Sequence, residues 1–463
     1  MRIAVISTFD ELCGIAGYTR ALVPQLQTFA DVEVFDLDQF LLRSPHARIR
    51  KLAEEHIKEI ASRLGEFDVV NIQLEHGTLG RYPLQIIRRF RKLARASKKL
   101  CVTFHTILGS TLMPWKGMGS ILMRGKPMDA VRIGFDHLRG NILANGVYSE
   151  MRRLQRTRSV SAIVHTKRDA RLMVVLNGIK QVHCHPLSYV NPEDAAVIRA
   201  TVSRANFKLL EGIPADHKLV GTFGFLSFYK GFGTMVRALR LLPEDHHMLV
   251  FGGVHPQTIE KHVPIDPYVK EVLDDTRIGF SVLEGLARSK GTPVTASTDA
   301  NRLFDEVPDS LKGRVHFMGV LTDSEFTSAM AVCDAVALPY IEVGQASSGP
   351  LSMAVDMGSR VLASRTGAFL GYSKLNPDVV EFFDIGNHVE LAGRIASPPS
   401  IRAVPLCNTQ TNIETYARAL WSPSAQPLPP AEKIRYVSAA RIPESAVSVP
   451  ALSVPSPAIK EIV

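Results

Sequence analysis

Short apolar runs bounded by turn residues alternate with amphipathic stretches along most of the chain. Ile3–Ile6 is unbroken by any polar residue, as in a strand covered on both faces, and Tyr18–Leu26 has its apolar residues at helical spacing. The same strand-then-helix order recurs with predicted strands at Val32–Leu37, Val69–Leu74, Leu100–Phe104 and Ala162–His165. A second series starts at Leu219–Gly224 and continues through Met248–Gly252, Val315–Met318, Ala335–Pro339, Arg360–Ala363 and Val379–Phe383. This alternation predicts an α/β protein with two parallel, doubly wound sheets. The join is expected between Ser188 and Asp216, in a polar helical stretch. Residues 255–313 read as a long insertion with a helical Pro267–Asp275 and a polar run at Ser297–Asp309. Beyond Trp421 the chain is rich in Pro, Ser and Ala and has no period, so it reads as a disordered tail.

Length agrees with two domains, since 463 residues exceed what one hydrophobic core supports. The 46% hydrophobic and 21% charged residues are ordinary for a packed protein and exclude a fibrous or wholly disordered chain. Cys13, Cys101, Cys184, Cys333 and Cys407 are dispersed and odd in number, which predicts reduced thiols and a cytoplasmic location. The opening MRIAVISTFDELCG reads as a first strand and not as a secretion signal, and no uncharged stretch is long enough to span a bilayer. Charge is uneven: residues 1–200 hold 30 Lys/Arg against 18 Asp/Glu, and the remainder 24 against 27. A basic first half suits an anionic partner, whether phosphate-bearing ligand, membrane surface or nucleic acid.

Ligands of open α/β sheets bind beyond the carboxyl ends of the strands, so the turns there were read for chemistry. Gly14 and Gly17 open the first helix and allow an anion to approach backbone N–H groups, although the motif is not GxGxxG. Packing glycines are an equal reading of that pair. Gly224, Lys230 and Gly231 follow the first strand of the second series, where a lysine at a helix start suits a diphosphate and a solvated surface lysine is the alternative. Gln345, Ser347, Ser348 and Gly349 precede a helix with Pro350 in its first turn, an N-terminus able to present unblocked donors or simply capped by serine. His105 ends a buried strand, as either a cleft residue or a satisfied core histidine.

Seven blocks in order, CGIAGYTR, VVNIQLEHGTLG, VTFHTIL, IVHTKRD, GFLSFYKGF, VFGGVHP and LPYIEVGQASSGPLSMAVDMG, resemble the retaining GT-B glycosyltransferases of the family 4 type. The similarity covers about residues 1–420 and is nearest the mannosyltransferase-like branch. It implies a GT-B architecture of two Rossmann-like domains facing a central cleft: 1–190 on the acceptor side, and 191–409 as linker and donor domain. A helix at 410–421 would cross back to the first domain, leaving 422–463 as tail. It also implies transfer of a sugar, mannose foremost, from a nucleoside-diphosphate sugar to a saccharide or lipid-linked saccharide hydroxyl in polysaccharide or glycolipid assembly. No metal or other cofactor is expected.

By position, the resemblance makes Lys230 and His105 catalytic, with Gly17, Gly224, Gly231, Gln345, Ser347, Ser348 and Gly349 on the donor and Gly14, Glu75 and His76 on the acceptor side. Phe225 stands where many members have arginine, and Gln345 and Met353 where many have a pair of glutamates. His185-Pro186-Leu187 replaces a His-Gly before the linker. These departures motivate an alternative, a catalytically inactive GT-B scaffold or nucleotide-binding protein; a third reading is a phosphorylase or epimerase on the same fold. Pro83–Lys99 holds seven basic residues around Ile86, Ile87, Phe90, Leu93 and Ala94, and reads either as a peripheral contact with anionic lipid at the inner face of the cytoplasmic membrane or as a helix packed on the sheet with a solvated basic face. Nucleic acid is not an expected partner, because no reader module accompanies the charge.

Overall fold

Uninterrupted apolar runs become the inner strands of two parallel sheets, because a strand covered by helices on both faces has no solvent side on which to alternate. The computed structural model describes all residues except 12, 109–112, 254–266, 269–270, 273–310, 312, 401–403, 422–434 and 438–463. The first sheet contains β1 (Arg2–Ser7), β2 (Asp31–Asp36), β3 (Val69–Leu74), β4 (Leu100–Phe104), β5 (Val160–Val164) and β6 (Gln181–Cys184). The second contains β7 (Lys218–Phe223), β8 (His246–Phe251), β9 (Val315–Gly319), β10 (Ala335–Leu338), β11 (Val361–Ser364) and β12 (Glu381–Phe383). Their spatial orders are β2-β1-β3-β4-β5-β6 and β12-β11-β10-β7-β8-β9, so the order in which parallel strands are added reverses beside β1 in one sheet and beside β7 in the other. Those reversals open crevices at the strands' carboxyl ends, where doubly wound proteins bind ligands.

Two elements depart from the sequence reading. Gln181–Cys184 is a short, half-buried edge strand whose polar–apolar mixture gives no apolar run. Arg435–Val437, within the tail read as disordered, forms β13 and pairs in parallel with β2. Elsewhere the tail lies outside the described residues. So does most of the 255–313 insertion, including Ser297–Asp309; within it Pro267, Tyr268, Glu271 and Val272 are helical, and Val272 is buried against the second core.

In the first domain α1 (Gly14–Gln27) follows β1, and α2 (Gln39–Arg43) and α3 (Ala47–Arg63) follow β2. The basic stretch forms α4 (Pro83–Ala96), whose Ile86, Ile87, Phe90, Leu93 and Ala94 all enter the first core. Its apolar face is therefore spent on the fold, as the reading of a packed helix with a solvated basic face requires. Acids from neighbouring helices also meet its cations: Glu54 of α3 pairs with Arg88 and buried Arg89, and Glu150 pairs with Arg91 and Arg95. Next come α5 (Trp115–Met123), the 28-residue α6 (Pro127–Leu154) and α7 (Lys167–Val175).

The second domain carries α8 (Pro192–Thr201), α9 (Phe232–Leu239), α10 (Asp323–Val332), α11 (Gly349–Asp356), α12 (Gly367–Ser373) and α13 (His388–Ala396). Finally α14 (Thr409–Leu420) lies against the first domain, where Tyr416 is fully buried. Asn412 Nδ2 donates to Gln25 Oε1 at 2.7 Å, and Ser161 Oγ to the carbonyl of Ala419 at 2.7 Å. Asp356, at the end of α11, accepts from the backbone N–H groups of Tyr189 (2.6 Å) and Val190 (3.2 Å). That carboxylate ties the inter-domain linker to the helix whose other end enters the cleft.

Candidate functional site

The carboxyl ends of β1, β3 and β4 face those of β7 and β10 across a cleft of about 330 Å³. Gly14, Gly17, Glu75, His105 and Thr106 line it from the first domain, and Gly224, Lys230, Gln345, Ser347 and Gly349 from the second. Residues separated by more than 300 positions are thus neighbours.

On the second-domain wall the turn Phe228–Lys230 carries the lysine inward, and Gly231 ends that turn at φ 65°. A Cβ at Gly231 would lie 1.9 Å from the carbonyl oxygen of Pro339, so only glycine lets the loops after β7 and β10 meet. The amide of Ile341 donates to the carbonyl of Tyr229 at 2.7 Å across the same seam. Lys230 is buried, with Nζ hydrogen-bonded to the Tyr340 hydroxyl and 4.0 Å from the centroid of that ring. No carboxylate among the described residues lies within ion-pair distance of it. Burial alone lowers its pKa to about 7. A charged lysine here lacks a counter-ion, and the cleft is where one would be supplied.

Beside it, Ser348 caps α11 by accepting from the Leu351 amide at 3.4 Å, and its hydroxyl lies 3.4 Å from that of Tyr340. Tyr340 thereby joins the lysine to the helix start. A Cβ on Gly349 would come within 2.7 Å of the Tyr189 hydroxyl, so the first turn of α11 is also closely covered. Ser347 and Gly349 face the cleft, whereas Ser348 and Gly231 are not in its lining and shape it from behind. Glu342 holds the preceding loop, accepting from the Gly344 amide at 2.8 Å and from the Gly367 amide at 2.5 Å.

The opposite wall is already satisfied. His105 Nε2 lies 2.9 Å from Gln73 Oε1, an acceptor, which places the ring proton on Nε2. Burial, with His165 nearby, holds the His105 pKa well below the usual histidine value, so the ring is neutral. Gln73 Nε2 in turn donates to Asn71 Oδ1 at 2.6 Å and lies 3.4 Å from the Tyr416 hydroxyl, extending the network to α14. Glu75 accepts from Thr106 Oγ1 at 2.7 Å, and burial raises its pKa.

His76, expected on the acceptor side, is not in the cleft lining. Glu75 has extended backbone, so consecutive side chains diverge. His76 is instead buried with neither ring nitrogen hydrogen-bonded, and its pKa falls to about 4. Phe225, Gln345 and Met353 all line the cleft at the positions where cations and carboxylates were expected from the resemblance. Sequence reasoning missed Tyr340, which lies in a quoted block but has no charge to flag it. It also missed Arg20 and Asp323, whose Nε–Oδ2 pair at 2.6 Å joins the domains. No three His, Cys, Asp or Glu side chains converge as metal ligands among the described residues.

Two facing Rossmann-like domains with a cleft at both switch points define the GT-B fold, and this chain has it. A crystal structure of Anabaena Alr3699/HepE in complex with UDP and glucose is similar at 15% identity and TM-score 0.50, covering 89% of this chain and 95% of that one. A UDP-forming α,α-trehalose-phosphate synthase from Burkholderia xenovorans, in complex with glucose-6-phosphate, is similar at 11% identity and TM-score 0.56, covering 91% and 100%. No protein-family model and no curated protein matches the chain.

Proposed function

We propose that the protein is a retaining, metal-independent glycosyltransferase that moves a hexose, mannose foremost, from a nucleoside-diphosphate sugar to a saccharide or lipid-linked saccharide hydroxyl. The observation that carries this reading is Lys230, a buried lysine without a carboxylate partner among the described residues, set beside the N-terminus of α11 at the switch point of the second sheet. An anionic diphosphate answers both features, since it pairs with the lysine and accepts from the helix's first N–H groups. Charge develops on the departing diphosphate as the sugar bond breaks, so donors already in place stabilise the transition state more than the ground state. His105 is assigned to face the transferred sugar as a neutral donor or acceptor, and Glu75 to face the acceptor. No side chain is assigned as a covalent nucleophile; displacement on the same face, assisted by the leaving group, needs none. The fold neighbours add a nucleotide choice, because one is in complex with UDP and the other is UDP-forming.

An inactive scaffold is the second reading, favoured by Phe225, Gln345 and Met353 in the cleft wall. Calorimetric titration of wild type and Lys230→Ala with GDP, UDP, ADP and dTDP, with and without a chelator, separates the two when followed by a turnover assay. Chelator-insensitive binding of one nucleotide, weakened in the variant and followed by turnover of its sugar, is the expected result. Binding without transfer or donor hydrolysis favours an inactive nucleotide-binding protein, and binding of none by folded protein removes the transferase reading and favours the scaffold.

A further inference from the structure

Directly after β4 and His105 the chain leaves the domain as a helical hairpin. Among the described residues α5 has no buried side chain, and Trp115, Leu122 and Met123 are exposed. The 28 residues of α6 span about 42 Å, more than the core covers. From Leu143 onward the helix is packed against the first core, but before that it presents Met128, Val131, Phe135, Leu138 and Ile142 to solvent. Their spacing alternates three and four residues, so the five form one stripe along four turns. Because α6 leads into the start of β5, it runs antiparallel to the sheet, and its exposed first half lies towards the carboxyl ends of the strands, the end that bears the cleft.

Cations surround this apolar surface. Lys116, Arg124, Lys126, Arg132 and Arg139 stand against Asp129 and Asp136, and none of the five forms an ion pair among the described residues. At the hairpin's tip a cavity of about 370 Å³ is lined by Ile121, Arg124, Lys126, Asp129, Arg132 and Ile133. Three cations and one carboxylate around a half-apolar hollow suit an anionic headgroup above an acyl chain.

We propose that the α5–α6 hairpin is a docking surface for an anionic lipid bilayer, with the apolar stripe at the acyl boundary and the basic residues among the headgroups. A second copy of the chain is a poorer match. In an antiparallel helix pair Arg132 and Arg139, beside the stripe, would face their own copies, and in a parallel pair they would face Pro127 and Gly134. Neither arrangement supplies an opposite charge, whereas an anionic surface answers every cation at once. The consequence for chemistry, that the acceptor hydroxyl is carried at the membrane surface, rests on the transferase reading above; the docking surface does not.

The test uses the full chain and sedimentation with vesicles of phosphatidylcholine alone or with 30% phosphatidylglycerol, at physiological salt. Binding to the anionic vesicles is expected to exceed binding to the neutral ones at least tenfold. Both Phe135→Ser/Leu138→Ser and Arg124→Glu/Lys126→Glu/Arg132→Glu should remove most of it, while nucleotide affinity measured by calorimetry stays within twofold of wild type. Independently, emission from Trp115 in a Trp421→Phe background should shift to the blue with anionic vesicles only. Equal sedimentation with the two vesicle types, or full binding by both variants, overturns the proposal. So does a concentration-dependent dimer that Phe135→Ser/Leu138→Ser dissociates, since the stripe is then covered by a second copy. Loss of nucleotide binding without loss of vesicle binding would count against the transferase reading and leave the docking surface standing.

Discussion

The two walls of the cleft are built on opposite principles. On the first-domain side the polar side chains have partners within the protein: His105 with Gln73, Glu75 with Thr106, and Gln73 onward to Asn71 and Tyr416. On the second-domain side Lys230 has only a phenol and aromatic rings among the described residues, and Gly349 and Pro350 at the start of α11 line the cleft. A satisfied wall positions what arrives, whereas an unsatisfied one draws in the missing charge. Under the proposed transferase reading, the contrast assigns affinity to the second domain and orientation to the first.

Replacing Lys230 by methionine breaks that contrast most strongly. Similar volume without the charge should lower nucleotide-dependent turnover by ~10²–10³-fold, the usual effect of losing a donor to a developing anion. Free protein should not lose stability, because a buried cation without a counter-ion is itself unfavourable. Thermal unfolding with and without nucleotide checks both halves: the variant should melt at or above wild type when free and gain nothing from ligand.

Acidity gives the next largest effect. With the free lysine at about pH 7 and a bound diphosphate holding its proton, binding requires proton uptake whenever the solution lies above that value. Affinity should therefore weaken between pH 7.5 and 9 by up to about tenfold per unit, and the Lys230→Met variant should show no such slope. Titration at pH 8 in two buffers of different ionisation enthalpy measures the uptake directly; identical heats in both would contradict it.

Much of this architecture is legible in the sequence. Continuous apolar runs mark strands covered on both faces, and the residues just after them, Gly17, His105, Lys230 and Gly349, do meet in one cleft because parallel strands deliver their ends to one side. What stayed hidden depends on partners distant in sequence. Tyr340 matters through the lysine 110 positions earlier, and Arg20 through Asp323. The apolar spacing of Pro83–Lys99 fits a packed helix and a lipid-facing one equally, and only placement showed that its Ile and Phe residues fill the core. The stripe on α6 carries the same kind of spacing, yet its five apolar side chains are exposed among the described residues.

A smaller effect sharpens the comparison from the satisfied side. Tyr416→Phe deletes a buried hydroxyl lying 3.1 Å from Thr103 Oγ1 and 3.4 Å from Gln73 Nε2, loosening α14 from the first domain. Loss of a network member of this kind costs about 1–2 kcal/mol. Denaturant unfolding should register that loss while nucleotide affinity, determined on the opposite wall, stays unchanged. A large fall in affinity would show that the walls are coupled through the network and not divided as argued.

The smallest expected effect concerns the contact between the two walls. Arg20 Nε and Asp323 Oδ2 are 2.6 Å apart, but the side chains are 31% and 54% exposed. Exposed pairs contribute ~0.2–1 kcal/mol, because water screens the attraction and two side chains must be held still. A double-mutant cycle of Arg20→Gln and Asp323→Asn should give a coupling in that range for the free protein. If the pair mainly sets the angle between the domains, the cycle should give a different coupling once nucleotide is bound, since closure changes the distance between helix α1 and helix α10. Equal couplings in the two states would mean that the pair is a passive surface contact, and that the unsatisfied second wall acts without a matching movement of the first.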